Sequence, residues 1–211
     1  MSTYDLEEQE QLAVLKAWWK QYGGVILALI MCVSLIFAGW TGWNWYQRSQ
    51  SGKAASLYEQ MQKISRGGDL KAIKDAAGII LEDYPRTNYA SLAALISAKA
   101  HFQAGDLRTA RIQLEWVISQ ARGAEIKAIA RLRLASVLVD DNQSADAVKL
   151  LEAKAEDGFE GLYAAGRGDA FLGQKKYADA KSAYKAALES KKLDQGMREL
   201  VQIKLDALGD S

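Results

Sequence analysis

Cysteine, proline and histidine are almost missing from this sequence of 211 residues, which contains one of each. A single cysteine cannot form an internal disulfide or a thiolate metal cluster, and a single histidine cannot form a His-rich metal site. One proline beside 34 alanines is typical of a helical chain rather than of a turn-rich β-structure. The composition therefore favours an all-α fold without a metal site.

An excess of charge of either sign is also missing. The 27 Lys and Arg residues nearly balance the 26 Asp and Glu residues, which excludes a polycationic surface for nucleic acid. There is no phosphate-binding glycine loop, and His101 has no Cys or Ser nucleophile with which to form a triad by motif. We predict a protein that is not an enzyme, with no cofactor, no metal and no nucleic-acid partner, in which His101 is a packing residue.

One region, between Lys20 and Arg48, has no charged residue at all. Residues 25–45 supply the roughly 20 apolar positions that cross a hydrocarbon core about 30 Å thick. Five of the six tryptophans lie near the two ends of this stretch, as interfacial aromatic residues do in membrane helices. An acidic leader and the bulky Trp40 and Trp43 argue against a cleaved signal peptide.

These features predict a transmembrane helix at 23–46, in contact with the lipid bilayer, after a short amphipathic tail at 1–22. Charge leaves the orientation open, because two basic residues flank each end of the span. Small residues recur at every fourth position inside it. These are Ser34, Ala38 and Gly42. Such a row lets another helix approach closely, although small residues are common in any membrane helix.

The rest of the chain, 47–211, shows internal repetition. Short polar segments interrupt the apolar helical pattern at Gly68, Gly105, Asn142 and Lys175, with spacings of 37, 37 and 33 residues. These spacings are close to the tetratricopeptide period of about 34 residues.

Small residues occupy the close-packing positions of the pattern, as Gly168 and Ala180 do around the last break. We predict a tetratricopeptide-like superhelix of about four helical hairpins. The alternative is a generic bundle of α-hairpins without a groove. A helix from Leu193 to Leu208 is predicted to cover the last apolar face with Leu200, Ile203, Leu205 and Leu208.

In such arrays the first helix of each hairpin lines a concave face. Transferring the spacing predicts nine apolar or aromatic lining residues. These are Tyr58, Leu92, Leu95, Phe102, Ile129, Leu132, Val139, Leu162 and Leu172. An exposed apolar groove is typical of a protein-binding site. Alternatively, neighbouring repeats cover these side chains.

Several segments also carry a family resemblance over nearly the whole chain. They are the acidic leader into Leu12–Trp19, Asn88-Tyr89-Ala90-Ser91-Leu92-Ala93, Leu132-Arg133-Leu134-Ala135, Gly158-Phe159 and Arg167-Gly168-Asp169-Ala170. With these segments, the sequence resembles the YfgM family, the ancillary subunit of the bacterial SecYEG translocon.

The resemblance implies a single-pass protein of the bacterial inner membrane, with residues 1–22 in the cytoplasm and 47–211 in the periplasm. It implies association with the SecYEG translocon and with a PpiD-type periplasmic chaperone. The expected function is a membrane-anchored scaffold or co-chaperone that assists secretory or outer-membrane protein biogenesis and contacts emerging secretory chains. The alternative is an envelope stress signalling adaptor that binds a regulator through its repeat domain.

Overall fold

The structure is a computed structural model that describes the backbone of residues 4–209 and the side chains of residues 12–209. Within this range the chain forms helices and contains no strand, which confirms the predicted all-α fold. The helices are α1 Tyr4–Gly67, α2 Leu70–Asp83, α3 Asn88–Gln103, α4 Leu107–Gln120, α5 Ala124–Asp140, α6 Ser144–Glu152, α7 Glu160–Gly173, α8 Tyr177–Glu189 and α9 Gln195–Asp206. The chain divides into two compact units, with the boundary inside α1 between Ser49 and Gln50.

The first unit is the part of α1 up to Ser49, and its described side chains are mostly exposed. Large apolar side chains such as Leu35 and Ile36 are 66% and 72% exposed. Aromatic pairs lie near both ends of the apolar stretch, with ring centroids 5.8 Å apart for Trp18 and Tyr22. Among the described residues, α1 is the one helix long and apolar enough to cross a membrane.

The second unit begins at Gln50 and contains four helical hairpins. The end of α1 packs on α2 through Met61, Ile73 and Ala77, and the next hairpins are α3/α4, α5/α6 and α7/α8. From α2 to α9 each helix contacts the next, and α5 also contacts α3 and α7. Contact between sequence neighbours is the pattern of a helical-repeat array, so the predicted hairpins are confirmed.

Left-handed backbone conformations mark the four predicted breaks. The φ angles are 73° at Gly68, 79° at Gly105, 59° at Asn142 and 60° at Lys175. A helix commonly ends on such a residue, which reverses the chain and is usually Gly or Asn because a Cβ is strained there. The four positions are therefore equivalent in structure as well as in sequence.

The second break shows how the helix end is satisfied. The Gly105 N–H donates to the Phe102 carbonyl at 3.0 Å, and the Asp106 N–H donates to the His101 carbonyl at 2.9 Å. The same two bonds recur after α5 and α7. This is the Schellman arrangement, which pairs carbonyls that the helix leaves free. The Asp106 carboxylate then caps α4 by accepting from the Thr109 N–H at 3.0 Å.

Close packing explains the predicted small residues. A Cβ on Gly168 would lie 2.3 Å from Cε1 of Tyr184, so the buried tyrosine ring occupies the space that a side chain would need. The Tyr184 hydroxyl donates to Asp169 at 2.6 Å, and Lys204 of α9 donates to the same carboxylate at 2.6 Å. Helices α7, α8 and α9 are thereby joined.

The last helix covers the array differently from the prediction. Val201 is 1% exposed, and Met197, Leu205 and Leu208 pack with it against the last core cluster. Leu200 and Ile203 are 44% and 66% exposed, so the prediction that they cover the apolar face is wrong. At about 100° per residue, these two side chains lie on another side of α9 from Val201.

Candidate protein-binding groove

Two adjoining open cavities lie between α3, α5 and α7, which are each the first helix of a hairpin. The α3–α5 cavity has a volume of about 360 Å³ and is lined by Ala98, Lys99, Phe102, Gln103, Leu114, Arg133, Ser136 and Val137. The α5–α7 cavity has a volume of about 240 Å³ and is lined by Leu132, Ala135, Ser136, Val139, Asp140, Gly166 and Asp169. Because Ser136 lines both cavities, we treat them together as the groove.

Three of the predicted lining residues lie in the groove. Phe102 lines the α3–α5 cavity, and Leu132 and Val139 line the α5–α7 cavity. All three are half-buried and pack against the central core cluster, so they belong partly to the core and partly to the surface.

The other six predicted residues lie elsewhere. Leu95 is only 6% exposed and belongs to the central core, so its side chain is not available to a partner. Five are half-buried outside the cavities: Tyr58, Leu92, Ile129, Leu162 and Leu172. Of these, Tyr58 packs with Tyr89 of α3, with ring centroids 5.6 Å apart.

The sequence pattern predicted apolar and aromatic lining residues but not the charged side chains at the groove. Lys99 and Arg133 lie at the α3–α5 cavity, and Asp140 and Asp169 lie at the α5–α7 cavity. Helical periodicity could have predicted Asp140, because Ser136 is four residues after Leu132 and Asp140 is four residues after Ser136, which places all three on one face of α5. The positions of Lys99, Arg133 and Asp169 at the cavities depend on which helices become neighbours, and that is a property of the fold.

Three of the four groove charges have no ion-pair partner among the described residues. Within the described chain, the side chains of Lys99 and Asp140 form no hydrogen bond and no ion pair, and the Arg133 side chain makes one long contact of 3.4 Å with the Leu95 carbonyl. Asp169 is the exception, since Tyr184 and Lys204 both bind it.

Outside the groove, a half-buried ion pair fixes the connection between α6 and α7. Arg131 donates to Glu156 at 2.5 Å, and the Tyr163 hydroxyl donates to the other oxygen of the same carboxylate at 2.9 Å. Burial alone would raise the pKa of Glu156, but hydrogen bonds from its own backbone, Tyr163 and Arg131 bring that pKa below its ordinary value. This network is structural, because it holds a loop against α5 and α7.

His101 also has a structural setting. Its side chain is buried, with 3% of the residue exposed, and Nδ1 lies 3.0 Å from Oδ2 of Asp106 at the turn after α3. The histidine is therefore a packing residue, as predicted. Among the described side chains, no three His, Cys, Asp or Glu residues are grouped as metal ligands would be.

The fold and the groove define a helical-repeat protein of the tetratricopeptide type. Residues 16–210 match the family model described as a tetratricopeptide repeat-like domain. Curated relatives named "Ancillary SecYEG translocon subunit" match nearly the whole chain. The relative from Neisseria gonorrhoeae is 31% identical, with 96% of this chain and 98% of the relative covered.

Two further relatives carry the same name. The relative from Aggregatibacter actinomycetemcomitans is 30% identical, with 97% of this chain and 99% of the relative covered. The relative from Escherichia coli is 26% identical, with 99% of each covered. The chain belongs to the family of ancillary SecYEG translocon subunits, which confirms the resemblance drawn from the sequence. This is a family of translocon subunits and not of enzymes.

Proposed function

We propose that this protein is a membrane-anchored, protein-binding scaffold of the SecYEG translocon in the bacterial inner membrane. The observation that carries the proposal is the near-complete coverage of relatives that bear the translocon-subunit name. The groove supplies a surface on which a scaffold can hold a polypeptide, because half-buried apolar side chains lie there beside unpaired charges. Its ligands are a PpiD-type periplasmic chaperone and emerging secretory chains.

The proposed topology places 1–22 in the cytoplasm, 23–46 (the anchor) in the bilayer and 47–211 (the repeat domain) in the periplasm. Exposed apolar side chains on α1 support the membrane segment. The experiment is cysteine labelling with a membrane-impermeant reagent, in a Cys32→Ser background with Ile112→Cys on α4. Labelling in spheroplasts with an intact inner membrane is expected. Labelling only after the membrane is broken would place the repeat domain on the cytoplasmic side.

Co-purification with matched variants tests the scaffold function. Leu132→Lys adds a charge inside the groove, whereas Ile112→Lys adds one at a position that is 52% exposed and outside the cavities. From gently solubilised native membranes, we expect the parent and Ile112→Lys to retain translocon components and the chaperone. Leu132→Lys should keep its helicity and lose groove-bound partners. If Leu132→Lys retains every partner, the groove is not the binding surface.

The same experiment separates the scaffold from the alternative. If translocon components never accompany the parent chain from native membranes, the envelope stress signalling adaptor becomes the better account. The anchor would then only localise the repeat domain.

The anchor carries a second proposed contact surface, the row Ser34, Ala38 and Gly42. All three residues are exposed, and a Cβ on Gly42 would meet no atom within 4 Å. Gly42→Leu therefore fills space outside the chain without disturbing it, and should weaken pairing with a neighbouring membrane helix. Gly39→Leu is the matched control, because a Cβ there also meets nothing within 4 Å and Gly39 lies outside the row. Equal co-purification of the two variants would exclude this pairing face.

A further inference from the structure

We infer that the groove selects an extended polypeptide segment with a defined charge pattern. In this pattern an apolar residue has an acidic neighbour, and a basic residue lies about three positions from the apolar residue, on either side of it. This inference rests on the proposed function, in which the groove binds polypeptide, and specifies which polypeptide it binds. Among the described residues, three features of the groove carry it: two cations without ion-pair partners at one cavity, one unpaired carboxylate at the other, and the distance between the cavities.

The α3–α5 cavity combines an apolar interior with two positive charges. Phe102 and Val137 contribute apolar surface, while Lys99 of α3 and Arg133 of α5 also line the cavity. Within the described chain, neither cation has a carboxylate partner. Two like charges beside one cavity repel each other, and an anionic group between them relieves that repulsion. The cavity thus suits an apolar side chain with a carboxylate next to it.

The α5–α7 cavity has the opposite charge. Asp140 lies in the last turn of α5, where the exposed carbonyl ends of the helix carry partial negative charge. An acidic side chain destabilises a helix at this end, and no basic partner compensates Asp140 within the described residues. Asp169 also lines this cavity, but Lys204 balances its charge, so Asp140 is the unpaired carboxylate there in the described chain. Asp140 is exposed and, among the described side chains, unpaired, so its carboxylate is free to bind a cationic side chain.

The spacing of the cavities sets the spacing of the ligand's residues. The two cavities lie on either side of α5, and packed helices are about 8–10 Å apart. An extended polyproline-II segment rises about 3.1 Å per residue and repeats its side-chain direction every three residues, or about 9 Å. An apolar residue and a basic residue three positions apart therefore reach both cavities. The volumes of about 360 and 240 Å³ are each large enough for a single side chain.

The test is calorimetry with the full chain in detergent micelles and synthetic acetylated, amidated heptapeptides. The matched peptide is Ser-Glu-Phe-Ser-Ser-Lys-Ser, also made in reversed order because the groove can hold either direction. The swapped peptide exchanges Glu and Lys. The better of the two matched peptides should bind at least about tenfold more tightly than either swapped form, and this difference should shrink at high salt, since exposed charges are screened.

Variants of the protein make the test decisive. Arg133→Glu should lower the affinity for the matched peptide by about tenfold, and Arg133→Glu with Asp140→Lys should prefer the swapped peptide. Arg108→Glu, on an exposed residue of α4 outside the cavities, should change neither affinity. Equal affinity for matched and swapped peptides, or an unreversed preference in the double variant, would overturn the inference.

The peptide experiment and the co-purification experiment can fail independently, so they test the charge pattern and the scaffold function separately. If peptides show no charge preference but Leu132→Lys still releases the partners, the groove binds polypeptide by other contacts and only the charge pattern fails. If Leu132→Lys retains every partner, the groove itself is excluded.

Discussion

The anchor and the repeat domain use the same residue types in opposite ways. In the anchor, Leu35 and Ile36 are 66% and 72% exposed, whereas Leu114 and Ile80 in the repeat domain are 2% and 0% exposed. Burying a side chain of this size is worth about 1.5–3 kcal/mol. The repeat domain obtains this free energy from its own helices, and the anchor can obtain it only from lipid or a partner. Substitutions should therefore affect folding in one unit and membrane insertion in the other.

The largest expected effect is on folding of the repeat domain. Tyr184→Ala should lower the free energy of unfolding by about 3–5 kcal/mol, because it empties the space beside Gly168 and removes the hydrogen bond to Asp169. Denaturant unfolding followed by circular dichroism measures this change. Tyr184→Phe is the control and should cost about 1 kcal/mol, since only the hydroxyl is lost. A loss below about 1 kcal/mol for Tyr184→Ala would contradict the packing account.

A charge in the anchor should act on insertion alone. Leu35→Arg should raise the free energy of membrane insertion by about 2.5–3.5 kcal/mol, because a guanidinium is placed near the middle of the span. An insertion assay in membrane vesicles reports this shift, with Leu35→Ala as the small-residue control. The unfolding midpoint of the repeat domain should stay unchanged. A lowered midpoint would show that the two units are not independent in this respect.

The cap of α4 gives a smaller effect that depends on pH. Asp106→Ala should cost about 1 kcal/mol at neutral pH, since the Thr109 N–H loses its acceptor. Hydrogen bonds from Thr109 hold the pKa of the Asp106 carboxyl below its ordinary value of 3.8. A lowered pKa in the folded state means that the stabilisation is present above pH 3.8 and is lost as the pH falls below it.

Unfolding of both chains across the acid range checks this prediction. The difference in stability between the parent and Asp106→Ala should shrink below about pH 4. Asp106→Asn keeps a capping side chain without the titration, so its stability should depend less on pH in that range. A difference that grows on acidification would contradict the assignment of Asp106 as an anionic cap.

The smallest effect concerns a turn. Lys175 has φ 60°, whereas Gly105 occupies the equivalent place with φ 79°. Lys175→Gly should stabilise the repeat domain by up to about 1 kcal/mol, because glycine removes the strain of a Cβ in this conformation. Gly105→Lys, the converse exchange, should destabilise it by a similar amount. Thermal unfolding of the two variants should therefore shift in opposite directions, and shifts of the same sign would refute the equivalence of the turns.

The fold was predictable where local chemistry determines it. Gly105 and Asn142 suit left-handed turns, and Gly168 leaves space for a neighbouring ring, so breaks and hairpins could be recognised from the sequence alone. Exposure was predictable less well, because it depends on which helix covers which side chain. Leu95 is buried by its neighbours, while Ile203 is exposed on α9. The groove charges were missed for the same reason, since Lys99 and Arg133 come together only when α3 packs near α5.

Site-specific photocrosslinking tests the central claim most directly, namely that the groove of the anchored chain binds its partners. Benzoylphenylalanine replaces Leu132 in the groove or Ile112 on the exposed outer side of α4, in cells with intact membranes. Mass spectrometry then identifies the crosslinked proteins. We predict that the groove position crosslinks to translocon components, the periplasmic chaperone or secretory chains, and that the position on α4 does not. Equal crosslinking from both positions, or crosslinking from α4 alone, would contradict the account.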